Sequence, residues 1–278
     1  MTDRAMDRVV PPRARPRGLA RGLGANLATF GLLLAVWYAA AGLVRLGGDT
    51  SAIAKLPFAH DVLTTMINTA PTLLEATWAT GSRAVVGFFI GFLVGLVFGV
   101  VMVQSRWIEY AMVPYVLASQ MIPLIALVPI LRAILKDPDL VRLYITGYVS
   151  FFIVGMAVLR GLKNASPTAI ELMRSLDASR LATLRYLLLP AALPYIFSGL
   201  RVAAPLSLIG AILVDFLGAR NGLGYLLVAS LTIGSSQTTL LWAALLISMA
   251  LGLLFTRAVV VAERRLSFWQ PAFRETTT

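Results

Sequence analysis

ELMRSLDASRLATLRYLLLP, residues 171–190, interrupts an otherwise apolar chain with charges at Glu171, Arg174, Asp177, Arg180 and Arg185. Ser166-Pro167 precedes it, and serine caps helices while proline suits the first helical position. Leu172 and Leu176, then Leu181, Leu184 and Leu188, recur at helical spacing, so each half carries its own apolar stripe. Arg174, Arg180 and Arg185 fall off those stripes. Asp177 sits where the halves meet, and aspartate accepts a left-handed or capping conformation better than most residues. The pattern predicts two short amphipathic helices over residues 167–189, bent at Leu176–Ala178 and stopped by Pro190. Periodicity alone leaves two uses for them: a helix lying on lipid headgroups, or an element docked in a partner's groove.

On either side the sequence is lipid-like. Hydrophobic residues make up 58% of the 278, charged residues 13%, and mean hydropathy is +0.82. Uncharged runs extend over Gly22–Val44, Ala84–Val103, Tyr110–Leu131, Leu143–Leu159 and Asn221–Thr256. A bilayer crossing needs about 20 apolar residues, which makes this an all-α, polytopic membrane protein. The expected spans are 27–44, 83–103, 110–135, 143–159, 195–217 and 240–261, within a membrane domain covering 22–265. A basic, proline-containing arm (1–21) is expected to be mobile, and a polar tail (266–278) closes the chain. The first apolar run is too long for a signal peptide and lacks a small-residue cleavage pattern.

Gly87, Gly91, Gly95 and Gly99 repeat every fourth residue and form a smooth ridge, which predicts close helix packing. Pro114, Pro123 and Pro129 predict a kinked third span. Candidate path-lining residues are Gln120, Met121, Ser150, Ser207 and Asp215. An acid within a span is usually functional or paired. Asp215 lies near the far end of its span, where solvation or a pairing with Arg132 is also open to it.

Six spans put both termini on one side. Seventeen of the 24 lysines and arginines fall on that side, and seven (Arg45, Lys55, Arg83, Arg132, Lys136, Arg142 and Arg220) fall on the other. Basic excess marks the cytoplasm, so the segment 167–189 and both termini are expected there. The formal charge of +11 therefore reflects span flanks and not a nucleic-acid surface. With no cysteine and one histidine, His60 (read as an ordinary loop residue), thiolate and histidine metal sites are not expected. No GxxxxGK[ST] occurs, so no catalytic residue or nucleotide cofactor is expected on this chain.

The segment ELMRSLDASRLATLRYLLLPAALPYIFSGLR resembles the cytoplasmic EAA signature of ABC importer permeases: EAA, three residues, G, nine residues, I, two residues, LP. Glu171 matches its acid, Ala178-Ser179 the usual alanine-serine, and residues 189–194 the LPAALP run. LPFAHDV, GFFIGFLVGLVFG, MIPLIALVPIL, LIGAILVDFLGARNGLGYLL and AERRLSFWQP follow family order over about residues 55–271. They resemble the subgroup importing nitrate, taurine, alkanesulfonates or pyrimidine precursors. The chain departs from the pattern at Leu172-Met173, which replace two alanines, and at Asp177, which replaces the glycine. The usual glycines after the third span are missing from LRAILKDPDL.

The resemblance implies the type I, methionine-importer-like permease architecture in a bacterial inner membrane. It implies two ATP-binding subunits carrying ATP and magnesium, a second permease chain and an extracytoplasmic solute-binding protein as partners, within membrane lipid and without nucleic acid. It assigns ATPase coupling to Glu171, Leu172, Met173, Asp177 and Ala178, with Arg174 and Arg180 at the rim and Pro190 as a rigid link into span five. The competing readings are an ion-coupled carrier, which usually shows paired broken helices in two halves, and a non-transporting membrane scaffold.

Overall fold

The computed structural model describes residues 19–46, 56–232 and 237–267, with side chains from residue 28 onward. Arm 1–21 and tail 266–278 therefore lie almost wholly outside the described residues. The chain divides into two units, Met1–His60 and Asp61–Thr278. All regular structure among the described residues is helical.

In the first unit α1 spans Leu19–Leu46, and its Ala28–Leu46 part is long and apolar enough to cross a membrane. The segment that follows folds back on it: Trp37 Nε1 donates to the Pro57 carbonyl at 2.9 Å, and the Arg45 guanidinium lies 3.4 Å above the Phe58 ring. His60 is not a loop residue. It opens α2 (Ala59–Asn68), with Nδ1 3.0 Å from the Tyr38 hydroxyl and its ring stacked on Phe58.

The second unit is built around α3 (Ala70–Val103), α6 (Pro138–Lys163) and α9 (Leu189–Phe216). The span expected at 83–103 begins thirteen residues earlier, at Ala70. Thr77 and Ser82 return their hydroxyls to the helix's own carbonyls at Leu73 and Trp78, so the polar residues before Arg83 continue the helix. α3 and α6 run parallel, since Gly87 faces Leu143 and Thr146 while Gly99 faces Val158. At Gly87, Gly91, Gly95 and Gly99 an added methyl group would collide with Thr146, the Gly147 carbonyl, the Phe151 carbonyl and Val158 respectively. The ridge thus brings two backbones together without intervening side chains, as close helix contact in lipid requires. Gly91→Val is expected to lower stability by about 1–3 kcal/mol through overpacking, read as a fall in the melting midpoint of the purified protein.

Parallel packing also settles the third span. Two neighbouring helices can run the same way only if the chain between them crosses back. The connection is α4 (Arg106–Ser119) and α5 (Leu124–Leu135), bent by 93°. The expected continuous span 110–135 is therefore one crossing in two pieces, which gives six among the described residues. The break is at Gln120–Pro123: Pro123 has no N–H and disfavours helical backbone at Ile122. Three successive amides, Gln120, Met121 and Ile122, turn back to carbonyls three residues earlier. The Ser119 carbonyl also accepts from the Tyr148 hydroxyl, so a neighbouring helix helps to satisfy the backbone at the break.

α7 (Pro167–Ser175), a short helix α8 (Arg180–Thr183) and a wider turn, Leu184–Leu188, lead into α9. Pro190 does not stop this helix. The Leu189 amide reaches back five residues to Leu184, and the expanded turn makes room for the proline ring against the preceding carbonyls. The fifth span thus rises without interruption from Arg180 to Phe216. α10 (Leu223–Thr232) and α11 (Thr238–Leu266) complete the unit. Large apolar side chains such as Leu74, Phe89, Val97 and Leu253 are exposed along α3 and α11, as a lipid-facing surface requires.

Candidate functional site

α7 and α8 bury none of their side chains. Pro167 occupies the first helical position of α7, but the Ser166 hydroxyl makes no capping bond; Ser179, in contrast, accepts from the Ala182 amide at 3.2 Å and caps α8. Between the helices Asp177 adopts φ +49°, the left-handed conformation. That is the position at which the family pattern has glycine. Left-handed backbone costs a residue with a side chain about 1–2 kcal/mol, and aspartate less than most. Glu171, Leu172, Arg174, Asp177 and Arg180 are exposed; Met173, Ala178 and Pro190 are half-buried. Leu172, Leu176 and Leu181 stand 58%, 68% and 73% exposed on one polar excursion. The adjoining ends of α4 and α6 are tied by Lys163 Nζ on both Glu109 carboxylate oxygens, at 2.6 and 2.7 Å.

The residues expected to line a path separate into two groups. Gln120 and Met121 are exposed at the α4–α5 break. Gln120 borders a cavity of about 330 Å³ between α4, α6 and α9 that also holds Met156, Arg160, Tyr195 and Ser198. Ser150 and Ser207 are fully buried and bonded to each other at 2.7 Å, joining α6 to α9. Each hydroxyl also reaches a carbonyl four residues earlier on its own helix, the Ser150 hydroxyl to Thr146 and the Ser207 hydroxyl to Ala203, so neither faces a cavity.

Asp215 is neither solvated nor paired with Arg132. It is 1% exposed and bound by Arg142 Nε and by the Thr80 hydroxyl at 2.5 Å. Arg132 instead donates to the Leu217 carbonyl at 3.0 Å. Arg142, itself 1% exposed, completes its set with Asp139 and with the Asn221 carbonyl and side-chain oxygen, at 2.7 and 2.8 Å. Arg83 holds the second Asp139 oxygen at 2.9 Å. Gly222, at φ +105°, lies so close to Asp215 and Thr80 that a side chain there would strike both. The network ties α3, α6, α9 and the 218–222 loop at one end of the unit. Arg142 escaped sequence reasoning because a lone arginine at the start of a span reads as a flank. Its spacing of three from Asp139, on a helix opened by Asp137-Pro138, was the available signal.

No group of three or more metal-ligating side chains occurs among the described residues. The model of the binding-protein-dependent transport system inner membrane component family matches residues 87–268. A probable ABC transporter permease protein of Haemophilus influenzae is 31% identical over 80% of this chain and 88% of its own length. The formylaminopyrimidine transport permease protein ThiX of Halalkalibacterium halodurans is 33% identical over 55% of this chain and 60% of its own. Among solved structures, an inward-facing MetNI methionine ABC transporter is similar in fold with a TM-score of 0.62, 20% identity, and coverage of 71% of this chain and 97% of that one. Helix order, crossing count and these similarities agree, and the chain belongs to the binding-protein-dependent transport system inner membrane component family, as an all-α ABC transporter permease with the type I importer architecture.

Proposed function

We propose that this chain is half of the pore of an ATP-driven importer, and that the bent α7–α8 pair is where an ATP-binding subunit grips it. The carrying observation is the exposure of Leu172, Leu176 and Leu181 on a helical excursion that buries nothing of its own. Apolar side chains arranged in this way on a polar segment serve to fill a partner's groove. Glu171, Arg174, Asp177 and Arg180 surround them and set register and specificity, as rim charges do. Met173 and Ala178 support the bend from its half-buried side.

In this reading two ATP-binding subunits hold ATP and magnesium, a second permease chain completes the pore, and an extracytoplasmic binding protein delivers solute. The termini and α7–α8 face the cytoplasm, in line with the basic excess on that side. Movement between outward-open and inward-open pores requires only that the ATP-binding subunits prefer a different pore state with and without nucleotide. Gln120 and Met121, exposed at the helix break, meet the solute. Ser150, Ser207 and Asp215 hold the walls together and do not. The solute is small, drawn from sulfonates, taurine, nitrate or pyrimidine and vitamin precursors; the pyrimidine named for ThiX supports the last class.

The chain has no cysteine, so Leu176→Cys gives a single labelling site. In oriented vesicles a membrane-impermeant maleimide is expected to react only from the cytoplasmic face. Addition of the co-purifying ATP-binding subunit is expected to slow the reaction by about tenfold or more, since a central apolar contact is fully covered in a docked interface. Labelling from the outer face, or at an unchanged rate in the assembled complex, would overturn the assignment.

A further inference from the structure

Basic residues are scarce on the outer side of this chain: seven lysines and arginines, against seventeen opposite. Four of the seven, Arg132, Lys136, Arg142 and Arg220, line one cavity of about 530 Å³ with Asp137, Asp139 and Asn221. A fifth, Arg83, binds Asp139 just behind it. Chance scatter along the outer loops does not bring these groups together; the junction of α5, α6 and the 218–222 loop does.

Of the two acids of the cavity one is neutralised by cations, and the other is exposed and caps a helix. Asp139 is shared by Arg83 and Arg142, and the Asp137 carboxylate caps the first turn of α6 by accepting from the Asp139 amide at 2.8 Å. Arg142 has all three of its nitrogens committed. The remaining positive charge is different. Arg132 has one bond, to the Leu217 carbonyl, while Lys136 and Arg220 are exposed and form no ion pair among the described residues. Three cations with unused donors thus face a walled space of a size typical for small-molecule sites.

Lys136 adds an independent argument. It closes α5 at φ +58°, a left-handed position that suits glycine, in the stretch where the family pattern has glycines. The chain keeps a long cationic side chain where the backbone favours none, and strain of this kind collects at functional positions.

We propose that this cavity binds a small organic oxyanion, one carrying a single sulfonate or carboxylate, through Lys136, Arg220 and the free edge of Arg132. A planar or trigonal oxyanion matches the arginine forks, and a lysine ammonium adds a compact point charge. The cavity's outward orientation rests on the function proposed above, and makes it a holding site at the pore's outer mouth. Anion binding itself does not depend on that function.

The test uses the full chain in phosphatidylcholine nanodiscs and equilibrium dialysis of radiolabelled ethanesulfonate. Saturable binding below about 10 mM is expected, and Lys136→Gly and Arg220→Ala are each expected to weaken it about tenfold, the loss typical of a charged hydrogen bond. Lys136→Gly is expected to leave the melting midpoint equal or higher, because glycine relieves the left-handed backbone, so its loss of binding is not a loss of folding. Lys136→Arg is expected to retain binding. Absence of saturable binding, full binding by Lys136→Gly, or abolition of binding by phosphatidylglycerol in the disc would each overturn the proposal, the last by showing a lipid headgroup to be the occupant. The assay needs no ATP-binding subunit, so its failure and a failure of the labelling experiment are distinguishable.

Discussion

Replacing Arg142 with methionine is expected to destabilise the protein by about 3–5 kcal/mol, the loss usual when one partner of a buried ion pair is removed. The reason lies in what remains. Asp215, 1% exposed, would keep the Thr80 hydroxyl and lose the one cation it pairs with among the described residues. The Asn221 oxygens would also lose their donor, freeing the 218–222 loop from α6. Asp215→Leu strands the arginine in the same way. The double variant, Arg142→Met with Asp215→Leu, leaves no buried charge of this pair and is expected to recover a large part of either loss. A thermal or denaturant series on the four proteins gives the coupling, and a double variant as unstable as the sum of the singles would contradict it. Transport by the double variant then separates clamp from path: it is expected to persist, because neither side chain meets the solute.

The second large effect is on coupling. Glu171→Lys or Asp177→Lys is expected to reduce transport by about tenfold or more, with ATP hydrolysis continuing and no longer driven by solute. Each reversal inserts a like charge or an unpaired one at the edge of a docked apolar patch, which costs several kcal/mol in a specific interface. Folding is expected to be spared in Glu171→Lys, because Glu171 is exposed and makes no ion pair among the described residues. Asp177→Lys, in contrast, adds up to about 1 kcal/mol of left-handed backbone strain at the bend. Asp177→Gly is the discriminating control. It restores the family residue at φ +49° and is expected to keep transport, because the bend survives. Solute uptake and ATPase rate in the same proteoliposomes give both readings, and uptake unchanged in both lysine variants would remove α7–α8 from the coupling route.

The two positive-φ residues other than glycine among the described residues, Lys136 and Asp177, are instructive together. Asp177 stands where the signature it resembles has glycine, Lys136 stands in a stretch where glycines are usual, and both adopt a left-handed backbone. A charged side chain therefore stands on a left-handed turn both between α5 and α6 and at the α7–α8 bend. Loss of a glycine from a pattern is not evidence that its turn is lost.

Hydrophobic runs, the four-residue glycine ridge and the amphipathic break at 171–190 were enough to give an all-helical membrane protein of six crossings with a bent, amphipathic helix pair between the fourth and the fifth. These are one-dimensional signals, because a bilayer requires each crossing to be long, apolar and internally hydrogen-bonded wherever its neighbours lie. The extension of α3 back to Ala70, the 93° bend of the third crossing and the passage of α9 through Pro190 were not legible, since each depends on which carbonyls a neighbour or a widened turn can satisfy. The same holds for charge. Sequence could count the basic residues on each side, but partners separated by 73 and 135 positions, Arg142 and Thr80 on Asp215, meet only when three helices pack. Burial then makes that meeting strong, and burial belongs to the folded structure and not to the chain.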